Sequence, residues 1–207
     1  MATDVRIAQA IGTIGCAIAA GGIATLSIIS IPTLLVPARR PANATLPAQD
    51  TPGTPATHLT HQWFNLYDRG HLIFPGTAVV SSLANLYVLW ELRDSPTPAP
   101  DLLGGSWSTS YMLAIGFTMS IVPFTLALMR KTNDKLMAHA KRDDAANAEG
   151  TKEMVVSPQE TAKRAREDDE VLGLLQYWSK LNLIRASLPL MGAGIGFYAA
   201  VSSWVLP

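Results

Sequence analysis

The sequence predicts an all-α fold: a four-helix transmembrane bundle with an extra cytosolic helix leading into the fourth helix. Three observations carry this prediction. Charge is segregated, with no Asp, Glu, Lys or Arg in Ile7–Ala38, Gly70–Trp90, Leu102–Met129 or Ala186–Pro207. Each stretch is rich in large apolar residues and reaches the roughly 20 helical residues that a hydrocarbon core about 30 Å thick requires. None has the polar outer face that a helix of a soluble bundle presents to water.

Composition sets the outer limits. The 207 residues have room for one integral membrane domain, 1–207. Charged residues make up 15% and apolar residues 48%, and the charges cancel. That balance argues against nucleic acid, which asks for a basic patch, and against the low-hydrophobicity signature of disorder. The one cysteine, Cys16, lies inside the first apolar stretch, so no disulfide can form within the chain.

The first helix is predicted over about 5–35. Its apolar run is about twice as long as the 7–15-residue core of a signal peptide, so it is read as retained. Along it Ala8, Gly12, Cys16, Ala20 and Ala24 fall at four-residue spacing and form one smooth ridge, the device that lets membrane helices approach closely. A Pro-, Thr- and Ala-rich loop from Pro37 to Thr60 follows and contains the glycosylation sequon Asn43-Ala44-Thr45. The second helix is predicted over 62–91, with a kink at Pro75-Gly76. After a proline-rich loop, the third helix is predicted over 107–136 and bends at Pro123. A polar segment, 137–157, leads to Ser157-Pro158-Gln159-Glu160, where a capping Ser, a first-turn Pro and a Glu at the capping-box position start a helix. From there one helix runs over 158–205, with Gly192, Gly196 and Ala200 as its own smooth ridge.

Basic residues set the orientation. The first loop has Arg39 and Arg40, and the third connection has nine Lys and Arg from Arg130 to Arg166; the opposite side has Arg6 and Arg93. Basic loops stay cytosolic, so loops one and three are expected in the cytosol, with Asn43 unglycosylated. The membrane is expected to be the endoplasmic reticulum or another endomembrane.

Polar and aromatic residues recur at helical spacing at the cytosolic level. Trp63, Tyr67 and His71 are i, i+4 and i+8 on the second helix; Thr125, Met129 and Asn133 repeat that spacing on the third; Trp178, Asn182 and Arg185 are i, i+4 and i+7 on the fourth. Such groups converging over an apolar pocket mark a small-molecule site. The plainer readings stand beside this one. Trp63, Tyr67 and Trp178 also suit an interfacial aromatic belt, and Arg185 suits a side chain that snorkels to headgroups. His58, His61, His71 and His139 all fall on or near the same side. His58 and His61 have no partner at a recognised metal spacing and read as loop histidines, whereas His71 lies within a helix. GxGxxG, Walker A and GxSxG motifs are absent, and Gly192, Gly194 and Gly196 read as packing glycines.

Three segments resemble a known family. Gln62-Trp63-Phe64-Asn65-Leu66-Tyr67-Asp68-Arg69-Gly70 is similar to its W-x-x-x-Y-x-x-G opening of helix two. Pro123-Phe124-Thr125 with Asn133-Asp134-Lys135-Leu136 is similar to its helix-three ending, and Trp178-Ser179-Lys180-Leu181-Asn182-Leu183-Ile184-Arg185 to its W-x-x-x-N-x-x-R. The family is the four-helix membrane group that includes the fungal anthrone oxygenases, and the resemblance spans nearly the whole chain. It implies oxidation of a polyketide anthrone to an anthraquinone by O₂, on a membrane-bound enzyme. An anthrone has an acidic CH₂ whose deprotonation gives an enolate electron-rich enough to reduce O₂, so no flavin, haem or other cofactor is expected. Under that reading His71 is the base. Arg185, Asn182 and Asn133 are donors to the developing oxyanion, and Trp63, Tyr67 and Trp178 stack on the ring system. The partners are the aromatic polyketide, O₂ and the bilayer, with no nucleic acid. Two alternatives remain at this point: copper or iron held by His61, His71 and His139, or a non-enzymatic membrane assembly factor or small transporter.

Overall fold

The computed structural model describes residues 3–36, 56–93, 107–148 and 158–205. They form four helices: α1, Thr3–Leu34; α2, Ala56–Leu92; α3, 107–148; and α4, Pro158–Val205. Each contains a segment long and apolar enough to cross a membrane. α1 packs against α2 and α4, and α3 packs against α2 and α4, so the four close into a ring in chain order. The sequon Asn43-Ala44-Thr45 lies outside the described residues.

Two predicted boundaries are corrected. α2 begins at Ala56 and not near residue 62, so His58 and His61 ride on its first turns. α3 continues past residue 136 to Ala148, so the first part of the polar segment, 137–157, is helical and carries His139. Ala-, Lys- and Asp-rich sequence without Gly or Pro keeps good helix propensity there, whatever its polarity. α4 runs unbroken from Pro158, as the capping signal predicts.

Burial follows the small residues. Ala8, Gly12, Cys16 and Ala20 face inward on α1, while Ile7, Ile11, Ile14 and Ile18 face outward. A β-carbon placed on Gly12 would meet Asn85 Oδ1 at 2.2 Å, and one on Gly192 would meet the Thr118 hydroxyl at 2.3 Å. Only glycine permits those approaches, so at this half the helices close tightly. Large apolar side chains cover the outside, as expected when the surrounding medium is as apolar as the side chains themselves. Gln9 donates to the Tyr111 hydroxyl at 2.9 Å and to Ser203 Oγ at 3.1 Å, tying α1, α3 and α4 together.

The other half holds the larger core cluster: Ile31, Leu59, Trp63, Met129, Leu136, Val171, Leu175, Trp178 and Leu181. Here the helical ladder is interrupted. In α1, Leu26–Ser30 forms a π turn, with the Ile31 N–H reaching back five residues to the Leu26 carbonyl. In α3 a second π turn spans Thr125–Met129. Each adjoins a proline, Pro32 or Pro123, whose missing N–H and ring clash break the regular i→i−4 pattern.

Candidate active site

A cavity of about 190 Å³ lies between α2, α3 and α4, with Leu26 of α1 at its edge. α2 contributes Leu66, Tyr67, Gly70, His71, Phe74 and Pro75. α3 contributes Ile121, Val122, Thr125 and Leu126, and α4 contributes Trp178, Asn182 and Arg185. The open side lies along α2 and α3, where the lining residues His71, Val122 and Leu126 are exposed. A mostly apolar pocket with a few convergent polar groups suits a small organic ligand.

Arg185 is the strongest polar feature. It is only 8% exposed, its Nε has no hydrogen-bond partner among the described residues, and one terminal nitrogen donates to Met129 Sδ at 4.0 Å. No carboxylate pairs with it among the described residues. A buried guanidinium is costly unless something balances it. It lines the cavity, where a guanidinium can donate to a negatively charged oxygen.

His71 lies in a column of rings. Trp63 stacks on Tyr67 at 5.1 Å and 19°, and Tyr67 stacks on His71 at 5.5 Å and 15°. The i, i+4, i+8 spacing sets this column, because it places successive rings one turn apart on one face. His71 Nδ1 lies 3.2 Å from the Tyr67 carbonyl oxygen and 4.0 Å from Asp68 Oδ1. With Nδ1 donating to that carbonyl, the neutral ring keeps its Nε2 lone pair free to accept a proton.

The remaining sequence-predicted residues divide. Tyr67 and Trp178 line the cavity. Trp63 does not: it is fully buried behind them, edge-on to Trp178 at 6.0 Å and 90°. Asn133 also stands off the cavity wall. Its Oδ1 accepts from Trp178 Nε1 at 2.9 Å, because antiparallel packing of α3 and α4 puts Asn133 a turn beyond Met129, level with the Trp178 indole. Its role is to fix the ring that lines the site.

Asn182 lines the cavity, but its donors are committed. Nδ2 donates to the Ile23 carbonyl at 3.0 Å and to Ser27 Oγ at 3.2 Å, and Ser179 Oγ donates to the Ser27 carbonyl at 3.0 Å. These bonds from α4 reach α1 at and just before its π turn. Oδ1 of Asn182 is buried without a partner. Turning the amide over would set oxygen against the Ile23 carbonyl, so the network fixes its orientation. The amide N–H groups of Asn182 are thus turned toward α1, where the sequence reading expected them to donate to an oxyanion.

Phe74, Pro75, Ile121, Val122 and Leu126 went unassigned in the sequence. For Phe74 a signal existed: with Tyr67 and His71 it completes an i, i+4, i+7 face. The histidines proposed as metal ligands, His61, His71 and His139, do not gather into a set of three potential ligands among the described residues.

Comparison with known proteins gives the family. The family profile described as anthrone oxygenase matches residues 63–195, which include every α2, α3 and α4 residue lining the cavity. An anthrone oxygenase of Aspergillus fumigatus is 29% identical over 88% of this chain and 86% of its own length. An anthrone oxygenase of Claviceps purpurea is 30% identical over 86% and 79%. A noranthrone monooxygenase of Aspergillus flavus is 29% identical over 85% and 65%. No solved structure matches the chain. With a profile that covers the second, third and fourth helices and relatives that match most of the chain, this protein belongs to the anthrone oxygenase family.

Proposed function

We propose that this protein is a membrane-embedded oxygenase that converts a polyketide anthrone to the corresponding anthraquinone. The observation that carries the proposal is the buried Arg185 guanidinium, unpaired with any described carboxylate, facing an apolar cavity beside stacked rings. The names of its relatives support the substrate class.

The reaction follows from the substrate. The anthrone lies against Trp178 and Tyr67, with its carbonyl oxygen toward Arg185. His71 Nε2 removes a proton from the CH₂ opposite that carbonyl. The electron pair moves onto the carbonyl oxygen, and Arg185 stabilises the resulting anion. Because the charge exists only once the proton leaves, Arg185 favours the transition state over the bound substrate. The enolate is oxidised at carbon by O₂, and a C–O bond forms to give a hydroperoxide. Loss of water, with the second C–H proton, cleaves the O–O bond and leaves a ketone. One oxygen atom ends in the quinone and the other in water, so no external reductant is needed. The Asn182 oxygen accepts from a ring hydroxyl and orients the substrate.

An apolar substrate partitions into the bilayer, and the exposed side of the cavity along α2 and α3 is lined by Val122 and Leu126, which suits entry from lipid. The basic counts place this half of the bundle at the cytosolic leaflet. Membranes containing the protein, supplied with emodin anthrone and monitored for O₂ uptake and quinone formation, test the proposal. Uptake that is equal with and without chelator supports deprotonation followed by direct oxidation. Uptake that chelator abolishes and copper or iron restores replaces it with metal chemistry. No anthrone-dependent uptake refutes the enzymatic reading.

A further inference from the structure

Phe74 occupies a notch that two glycines create. A β-carbon on Gly22 of α1 would lie 2.3 Å from Phe74 Cε1, 3.0 Å from Cζ and 3.2 Å from Cδ1. On the other edge of the ring, a β-carbon on Gly70 would lie 3.1 Å from Cε2 and 3.5 Å from Cδ2. The ring is thus held between α1 and its own helix by the absence of two side chains. Phe74 and Gly70 both line the cavity, whereas Gly22 lies behind the ring and lines none of it.

We propose that Gly22 is a positioning residue that sets the width of the cavity through Phe74, and so decides whether a flat three-ring substrate fits. Ordinary carbon–carbon contact begins near 3.5 Å, so a methyl group at Gly22 displaces the ring by about 1.2 Å. The backbone of α1 blocks one direction, and the cavity is the open space beside the ring. The displacement therefore goes into the cavity. Packed interiors do not absorb such a shift elsewhere.

A one-ring difference in ligand size amplifies the effect. A two-ring ligand still fits beside a displaced Phe74, whereas a three-ring ligand meets its edge. The substrate chemistry here rests on the anthrone reading, but the width does not, because binding reports it without turnover. Gly22 is also separable from the fold: alanine has the higher helix propensity, so the change leaves α1 at least as helical as before.

The test measures binding of 1,8-dihydroxyanthraquinone and of 1-naphthol by quenching of tryptophan fluorescence, with emodin anthrone turnover in parallel. Gly22→Ala is expected to weaken the tricycle by about 10-fold or more while 1-naphthol stays within about twofold, the scale of discrimination a methyl-sized intrusion produces. Gly22→Ala/Phe74→Ala should restore tricycle binding to at least the wild-type level. Phe74→Leu alone, which leaves α1 untouched, should shift the preference toward the larger ligand. Equal weakening of both ligands by Gly22→Ala would show that α1 has moved instead, and would overturn the proposal. So would failure of Phe74→Ala to rescue, or a wild-type protein that binds neither ligand. A wild-type protein that binds the tricycle without oxidising emodin anthrone removes the oxygenase reading, and the binding ratio still decides the role of Gly22.

Discussion

Arg185→Met separates a catalytic from a structural arginine. Arg185 is 8% exposed, pairs with no described carboxylate, and makes its one hydrogen bond among the described residues to the Met129 thioether at 4.0 Å. Burying an uncompensated charge opposes folding, and apolar replacements of buried charges are often neutral or stabilising by roughly 1–4 kcal/mol. Methionine has similar length and fills irregular space well. The folded protein should therefore be as stable as wild type or more so. Activity should move the other way: loss of one preorganised oxyanion donor costs about 10²–10³ in turnover, about 2.7–4 kcal/mol of transition-state stabilisation. Arg185→Lys should recover part of that, because an ammonium supplies the charge without the guanidinium fork. Thermal unfolding in detergent micelles reads stability. Anthrone-dependent O₂ uptake, normalised to folded protein, reads turnover. A variant that unfolds readily but turns over at the wild-type rate per folded molecule would make Arg185 structural and remove the oxyanion argument.

His71→Ala should lose about 10²–10⁴ in turnover with little change in thermal stability, since the ring is exposed; an unchanged rate in the O₂ assay would move the base elsewhere. Asn182→Ala should cost about 1–3 kcal/mol of stability by stranding the Ile23 carbonyl, with less effect than Arg185→Met on turnover per folded molecule. Equal losses of turnover in the two variants would restore Asn182 as an oxyanion donor. Asn133→Ala should leave the Trp178 N–H unpaired, again at about 1–3 kcal/mol, and raise KM more than it lowers kcat. A pure kcat effect would place Asn133 in contact with the reacting atoms.

The bundle was legible because the medium writes it into the sequence. Charge cannot be spread along a helix that crosses hydrocarbon, so four uncharged stretches translate directly into α1 to α4. The ridges at Ala8–Ala20 and Gly192–Ala200 were legible for the same reason, since close approach needs small residues at regular spacing. Boundaries in the polar segments were not: hydropathy marks where the apolar span ends and not where the helix does, so the helix propensity of the Ala- and Lys-rich run up to Ala148 went uncounted. The ring column Trp63, Tyr67, His71 was readable because α2 stays regular between them.

The roles of Asn182, Asn133 and Phe74 depend on something spacing cannot express. Each is set by a partner on another helix: the Ile23 carbonyl beside a π turn, the Trp178 indole, and the missing side chain of Gly22. The cavity itself has the same origin. At the end with Gly12 against Asn85 and Gly192 against Thr118, regular helices with small residues close completely. Toward the other end each helix carries a proline, Pro32, Pro75, Pro123 or Pro189; α2 and α4 stay helical through theirs, whereas α1 and α3 form a π turn beside theirs. Around Arg185 the cavity opens between α2, α3 and α4, and α4 is tied to α1 through Asn182 and Ser179. The irregular backbone is what turns a membrane bundle into a candidate enzyme.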